Sequence, residues 1–470
     1  MKESAGKNRL RYFALLGNFE AVIVYGLWTS IFLSLILNLA YVSCSYPNQK
    51  KEPPVDFESP KPEDLSLLLE LSAGSSEFSY DARTALTKLN DYPAVIDELA
   101  RMLKSEDIEA RRRAASGLFN MGDAPGVEIA LITGMSDSED DIRMVLVHAM
   151  GNLSPSDAIF HALVLAHEND VSNIRIAAID SLCLTGFDPE KVSEILIDSL
   201  NDPDSFVREC AAFDIGYHDY FSDATIRALS ACLDDDDPQV RKSAAYSLGE
   251  AGSMASFTLP ILRTHSENDE PIVRLAAANA VGKVEGSYED EIPTLVSLLS
   301  SKDVKIQCLK ILAGIGADAK EVLPSLNQLQ FDSDRSVSLW AKTCASEING
   351  EYGVTLNELK RFIDSCDEDS NGLDVESDKY LMECIEVLCR ISAKDTDAFD
   401  QLIDYLKNGP TRAKMFILSL APTFLGPKTK ELTPVIEPLL DSEDRALAYS
   451  ARKALERLEA ANGKPIKLPN

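Results

Sequence analysis

One spacing constrains this chain more than any other feature. Arg111, Arg143, Arg175, Arg208, Arg241 and Arg274 each follow an aliphatic residue or alanine, and successive members stand 32, 32, 33, 33 and 33 residues apart. Seven residues after each comes an apolar side chain: Leu118, Met150, Leu182, Ile215, Leu248 and Val281. The next residue is often glycine, as at Gly151, Gly216, Gly249 and Gly282. With substitutions the pattern runs on to Lys305 and Ser338 and back to Ser79. A second apolar segment precedes each of these, for example VIDELARML (95–103), VSEILIDSL (192–200) and TIRALSACL (225–233), with apolar residues three and four apart. Such a period, with two amphipathic helices per unit, predicts a stack of units that bury their apolar faces on one another. The expected fold is all-α: a right-handed α-solenoid of about twelve helical hairpins.

The link inside each hairpin is short and acidic: SDSEDDI, NDPDSFV, DDDDPQV and ENDEPIV are examples. Aspartate there accepts bonds from the free N–H groups of the second helix and favours the positive end of its dipole. Pro238 and Pro271 suit a first turn, where no N–H is needed. The run Asp234 to Asp237 is therefore read as one instance of a recurring cap. This grammar, an aspartate turn followed by VRxxAA and then LG, resembles HEAT repeats of the phycobilin-lyase-like type. It covers 63–350 in regular units and 351–460 in degenerate ones. The resemblance implies a ladder of bonds between turn aspartates and second-helix arginines of neighbouring units. Its members would be Arg111, Arg143, Arg175, Arg208, Arg241 and Arg274 with Asp107, Asp137, Asp170, Asp204, Asp237 and Asp269. Lys305 could continue it in part, whereas Ser338 could not.

Past residue 350 the spacing slips, and 366–378 reads as an acidic insertion in a turn. Asp367, Asp369, Asn371 and Gly372 match the first half of a calcium loop, with Asp378 at the closing position. Aspartate at 378 instead of bidentate glutamate makes any Ca²⁺ site there a weak one. The plain alternative is an enlarged helix cap. No other cofactor is expected. The histidines (His148, His161, His167, His218 and His265) are scattered, and no nucleophile, phosphate loop or Cys/His spacing stands out.

Before the array lies a stretch of a different kind. Residues 1–20 are basic, and 21–43 carry no charge over a length that spans a bilayer core, so one transmembrane helix or signal anchor is expected. Residues 44–62 read as a polar, proline-rich tether, and 461–470 as a tail. Lys2, Lys7, Arg9 and Arg11 precede the apolar run against Lys50, Lys51 and Lys61 after it, which directs the array to the exported side. Lipidation at Cys44, in YVSC, is a less favoured alternative. The other eight cysteines form no CxxC pair, read as small buried hydrophobes, and pull towards a reducing compartment.

The formal net charge is −30, with 76 acidic against 46 basic residues. That field repels phosphate backbones, so nucleic acid is not an expected partner, and cationic partners fit better. Second-helix positions one and five after each ladder residue share a face. They read Met144 and His148, Ile176 and Asp180, Glu209 and Phe213, Lys242 and Tyr246, Leu275 and Asn279, Ile306 and Lys310. Mixed apolar, aromatic and polar groups there suit a protein or peptide partner, or equally packing between neighbouring second helices. The function expected is that of a membrane-anchored, non-catalytic scaffold. The alternatives are a lyase-type enzyme or accessory acting on a chromophore-bearing protein, and a calcium-modulated adaptor.

Overall fold

The computed structural model describes residues 55–73, 79–366, 375–425, 428–442 and 444–462. Every regular element among them is helical. The expected membrane segment, Cys44 and the calcium-loop residues Asp367, Asp369 and Asn371 lie outside the described residues. Among the described residues no helix is long and apolar enough to cross a membrane.

Two compact units result, the first ending at Ser287 and the second beginning at Tyr288. That boundary falls inside the stretch 63–350, which the spacing treats as continuous. In the first unit the described helices pair as α1 (Leu65–Ala73) with α2 (Ser79–Thr87), α3 (Pro93–Met102) with α4 (Ile108–Phe119), α5 (Val127–Gly134) with α6 (Asp140–Gly151), and α7 (Asp157–Asn169) with α8 (Ser172–Leu184). Then come α9 (Pro189–Ser199) with α10 (Ser205–Tyr217), α11 (Asp223–Cys232) with α12 (Pro238–Glu250), and α13 (Leu259–Asn268) with α14 (Pro271–Glu285). The second unit pairs α15 (Ile292–Leu298) with α16 (Lys305–Ile315), α17 (Leu323–Leu329) with α18 (Arg335–Asn349), and α19 (Gly353–Ser365) with α20 (Val375–Ser392). It closes with α21 (Thr396–Asn408) beside α22 (Thr411–Phe424), and α23 (Thr429–Ile436) beside α24 (Arg445–Asn462).

Two leucine-rich rows make the core of the first unit. Leu99, Leu131, Leu163, Leu196, Leu229 and Leu262 come from the first helices, and Leu118, Met150, Leu182, Ile215, Leu248 and Val281 from the second; each is 1 % exposed or less. Fully burying one such side chain contributes about 1.5–3 kcal/mol. A lone hairpin would leave both rows half wet, so each unit needs its neighbours. Small residues let successive second helices approach closely. A Cβ on Gly216 would stand 2.8 Å from Ser247 Cα, and one on Gly249 3.0 Å from Ala280 Cα. Across these junctions Ser181 Oγ donates to the Val147 carbonyl at 3.2 Å, and Ser247 Oγ to that of Ala212 at 2.6 Å.

The last residues of the proline-rich stretch are not a free tether. Val55 joins the core of the first unit and Phe57 packs against it. Lys88 Nζ donates to the Phe57 and Glu58 carbonyls, both at 3.2 Å. An apolar pair inside a polar segment was enough to seat it.

In the second unit Lys310 is drawn inward. Its ammonium lies 4.7 Å from the Trp340 ring centre and 3.0 Å from Glu386 Oε2, so it joins α16, α18 and α20. Arg390 sits on the same ring at 5.5 Å.

Candidate protein-binding face and the ladder behind it

The turns between paired helices supply acids for two separate duties. Asp107, Asp204 and Asp237 accept from the N–H groups of Glu109, Phe206 and Gln239 at 3.0, 2.9 and 2.9 Å, so they cap their own second helices. The ladder uses a residue slightly earlier in the next turn. Arg111 Nε donates to Asp137 at 2.7 Å, Arg143 to Asp170 at 2.8 Å, Arg175 to Asp202 at 2.8 Å, Arg208 to Asp235 at 2.7 Å and Arg241 to Asp269 at 2.8 Å. Asp107, Asp204 and Asp237, expected as rungs, are thus caps, and Asp202 and Asp235 take the rungs. The rung acids also accept an N–H two residues on, Asp202 from Asp204 at 2.8 Å and Asp235 from Asp237 at 2.9 Å, but they alone stand where the fork of the preceding unit arrives.

Each fork is bidentate through Nε and Nη2, and the third nitrogen holds the arginine's own turn: Arg208 Nη1 donates to the Asp202 carbonyl at 2.8 Å and Arg241 Nη1 to that of Asp235 at 2.8 Å. Burial works to raise the Asp269 carboxyl, but the Arg241 bond, the Glu270 N–H and His265 outweigh it and hold it down at about 2. Arg274 Nε donates to the Ser266 carbonyl at 3.1 Å. Ser338 Oγ makes the same eight-residue reach, to Gln330 at 2.7 Å, and Lys305 Nζ stands 3.7 Å from Asp332.

The face read from positions one and five divides by burial. Phe213, Lys242, Leu275 and Lys310 are 4, 6, 6 and 7 % exposed, so they pack between helices and present no surface to a partner. Lys242 Nζ is held by Glu209 at 3.2 Å and Gln239 at 2.7 Å. His148, Ile176, Asp180, Tyr246, Asn279 and Ile306 are partly buried, and Met144 is 36 % exposed. Burial lowers the pKa of His148, which keeps its ring neutral. Phe213 forms the middle of an aromatic row: Tyr217 and Tyr246 stack on it at 5.5 Å, with ring planes 20° and 15° away from parallel. Tyr217 lies one helical turn beyond the positions the sequence singled out. Leu184, 52 % exposed, holds the equivalent place on α8, and that row of exposed ends is the signal sequence reading missed.

Carboxylates border the aromatic row. Glu250 and Asp219 are exposed, and both act on Tyr246, whose phenol is pushed up by burial first and by these charges after it. Lys283 shows what such a border attracts: its ammonium pairs with Glu250 and stands 5.7 Å from the Tyr246 ring centre.

Asp378, expected to close a calcium loop, pairs with Arg412 at 2.7 Å. Among the described residues no group of three or more His, Cys, Asp or Glu is arranged to hold a metal ion. His167 is buried, with Nε2 3.3 Å from Ser199 Oγ. That hydroxyl already donates to the Ile195 carbonyl at 2.7 Å, so it accepts from the imidazole, which is the neutral Nε2–H tautomer.

A family model for HEAT repeats matches residues 226–306, from α11 into α16. Among curated proteins no sequence match is found. Similar solved structures include Kap121p, 15 % identical with a TM-score of 0.40 over 85 % of this chain and 49 % of that one. This chain therefore spans about half the length of that karyopherin. Importin beta is 13 % identical, with a TM-score of 0.44 over 92 % of this chain and 66 % of that one. The complex of CpcE and CpcF of phycocyanin lyase from Nostoc is 18 % identical, with a TM-score of 0.36 over 57 % of this chain and 94 % of that one.

Proposed function

We propose that this chain is a non-catalytic protein-binding array, tethered to a membrane through residues 21–43 with its repeats on the exported side. It takes up basic, partly apolar protein segments along the second-helix face of its first unit. The observation that carries this reading is the pair Tyr217 and Tyr246, both stacked on the buried Phe213, with a border of Asp219 and Glu250. Flat rings offer apolar contact at little loss of side-chain freedom, and a carboxylate at the ring edge selects a cation above its face. A net charge of −30 draws such partners in and turns anionic ones away.

The binding claim is tested by fluorescence anisotropy on the full chain in detergent, with matched peptides carrying Lys/Arg plus Leu or their charge-reversed forms. Basic peptides should bind, salt should weaken them, and Tyr246→Ala should cost about tenfold while Thr133→Ala, on the exposed face of α5, costs nothing. Equal binding of both peptide sets, or indifference to Tyr246→Ala, would remove the reading. The membrane claim is separate: the array should be digested by protease in intact, wall-stripped cells, and protection until lysis would overturn it.

A further inference from the structure

Two junctions in the first unit share one arrangement, and the junction between them lacks it. Where α6 meets α8, and α10 meets α12, a glycine eight residues after the ladder arginine (Gly151, Gly216) abuts a serine six after the next one (Ser181, Ser247). The serine hydroxyl donates to a carbonyl on the helix before. Where α8 meets α10 the corresponding residues are Cys183 and Asp214. An ionised carboxylate has no hydrogen to donate, so Asp214 can imitate serine only when protonated. It lies close enough to Asp180 of α8 for the two acids to act on one another, and two buried carboxyls so placed are joined by a proton and parted by its loss. Asp214 is 2 % exposed, and among the described residues its Oδ2 has no hydrogen-bond partner.

We infer that the α8–α10 junction is a proton-operated joint, closed while the Asp180–Asp214 pair is protonated and loosened when it ionises. Its surroundings reinforce this. Cys183 of α8, Cys210 of α10 and Tyr220 in the turn after α10 all face it, and burial first, with the acids second, pushes each of them towards its neutral form. Glu209 beside Cys210 is held by Lys242 of α12, and His148 of α6 occupies the next place along the row with its ring kept neutral by burial. The aromatic partner of Asp214 on the same turn, Phe213, carries no charge. No charged group from α7, α9 or α11 acts on either carboxyl among the described residues. Burial therefore pushes Asp180 up to about 7 and Asp214 upward as well.

The sign follows from linkage. A carboxyl raised in the closed state holds its proton there after the open state has lost it, so closure is favoured at acid pH and lost as pH rises towards 7. One excess proton makes the opening equilibrium rise about tenfold per pH unit across this interval. Asp137, Asp170, Asp235 and Asp269 of the ladder are held below the ordinary carboxylate range, so their response lies at more acid pH than this interval.

Hydrogen exchange of α8 and α10 amides in the full chain, corrected for intrinsic rates, reads the joint directly. Between pH 5 and 7 their opening should rise by at least about tenfold per unit, while α4 and α12 change little. Asp214→Asn and Asp214→Ser should both flatten that rise; the serine variant restores the arrangement of the neighbouring junctions and guards against a variant that fails to fold. An unchanged rise in Asp214→Ser, or a wild type flat from pH 5 to 7, overturns the inference. Peptide binding plays no part in this readout, so failure of the proposed function leaves it standing.

Discussion

In Arg208→Ala a whole rung of the ladder goes at once. The guanidinium gives bonds of 2.7 and 2.8 Å to the two Asp235 oxygens and one of 2.8 Å to the Asp202 carbonyl. The carboxylate left behind is 12 % exposed and keeps the Asp237 N–H at 2.9 Å. Stranding one partner of a buried pair costs about 3–5 kcal/mol. The retained N–H and the charge of Arg241 near Asp235 place this case at the lower end, about 3 kcal/mol. Arg112 supplies the contrast: its pair with Asp141 is 42 and 48 % exposed and screened by solvent, so Arg112→Ala should cost much less than Arg208→Ala. The assay is urea unfolding followed by far-ultraviolet circular dichroism, where units that contact only their neighbours concentrate the loss in the transition of the first unit. Arg208→Ala with Asp235→Asn should recover part of the loss, because no charge is stranded. Arg208→Lys should fall between, since lysine brings a point charge where arginine brings a fork. Equal midpoints for Arg208→Ala and Arg112→Ala would refute the claim that the ladder holds the units in register.

Two further outcomes follow from close packing. Gly216→Ala places a methyl 2.7 Å from Ser247 Cβ and 2.8 Å from its Cα, which cannot move aside, so it should destabilise by about 1–3 kcal/mol in the same urea assay. Gly353→Ala, whose Cβ meets nothing within 4 Å, should stay within about 0.5 kcal/mol, and equal effects would mean that the second helices do not approach as described. The eight described cysteines are buried, and burial pushes Cys232 up to about 11 and Cys344 up to about 12. Maleimide at neutral pH, mapped by mass spectrometry, should label them slowly in the folded chain and fast in urea; rapid labelling of Cys183 or Cys210 without urea would contradict their placement.

Much of the architecture was legible because a repeat states its own period. The leucine rows and hairpin order follow from the arginine spacing, since each unit buries the same positions. The rung acceptors were harder to read. A turn such as NDPDSF offers Asp202 and Asp204, and caps and rungs want the same residue type two positions apart. Constant offset was the clue: sequence separations of 26, 27, 27, 27 and 28 link each arginine to its acceptor. On the interaction face, spacing placed Tyr246 and Asp180 but could not tell exposed from packed, so Phe213, Lys242, Leu275 and Lys310 proved interior. Asp214 escaped notice because it sits in a row otherwise filled by glycine, alanine and serine, where its departure from that row was the signal.

The ladder also has a mechanical consequence. All five described rungs lie at the turn between first and second helix, so they run along a single border of the first unit. Short bidentate contacts stretch very little before they break, which makes this border inextensible. Any flexure must then pivot about it, and the far ends of the second helices, where Leu184, Tyr217 and Glu250 sit, sweep the widest arc. A load applied through Val55 and Phe57 would travel down the stiff border and leave the opposite rim free to splay. A guest resting on that rim would register curvature as a change of pitch beneath it.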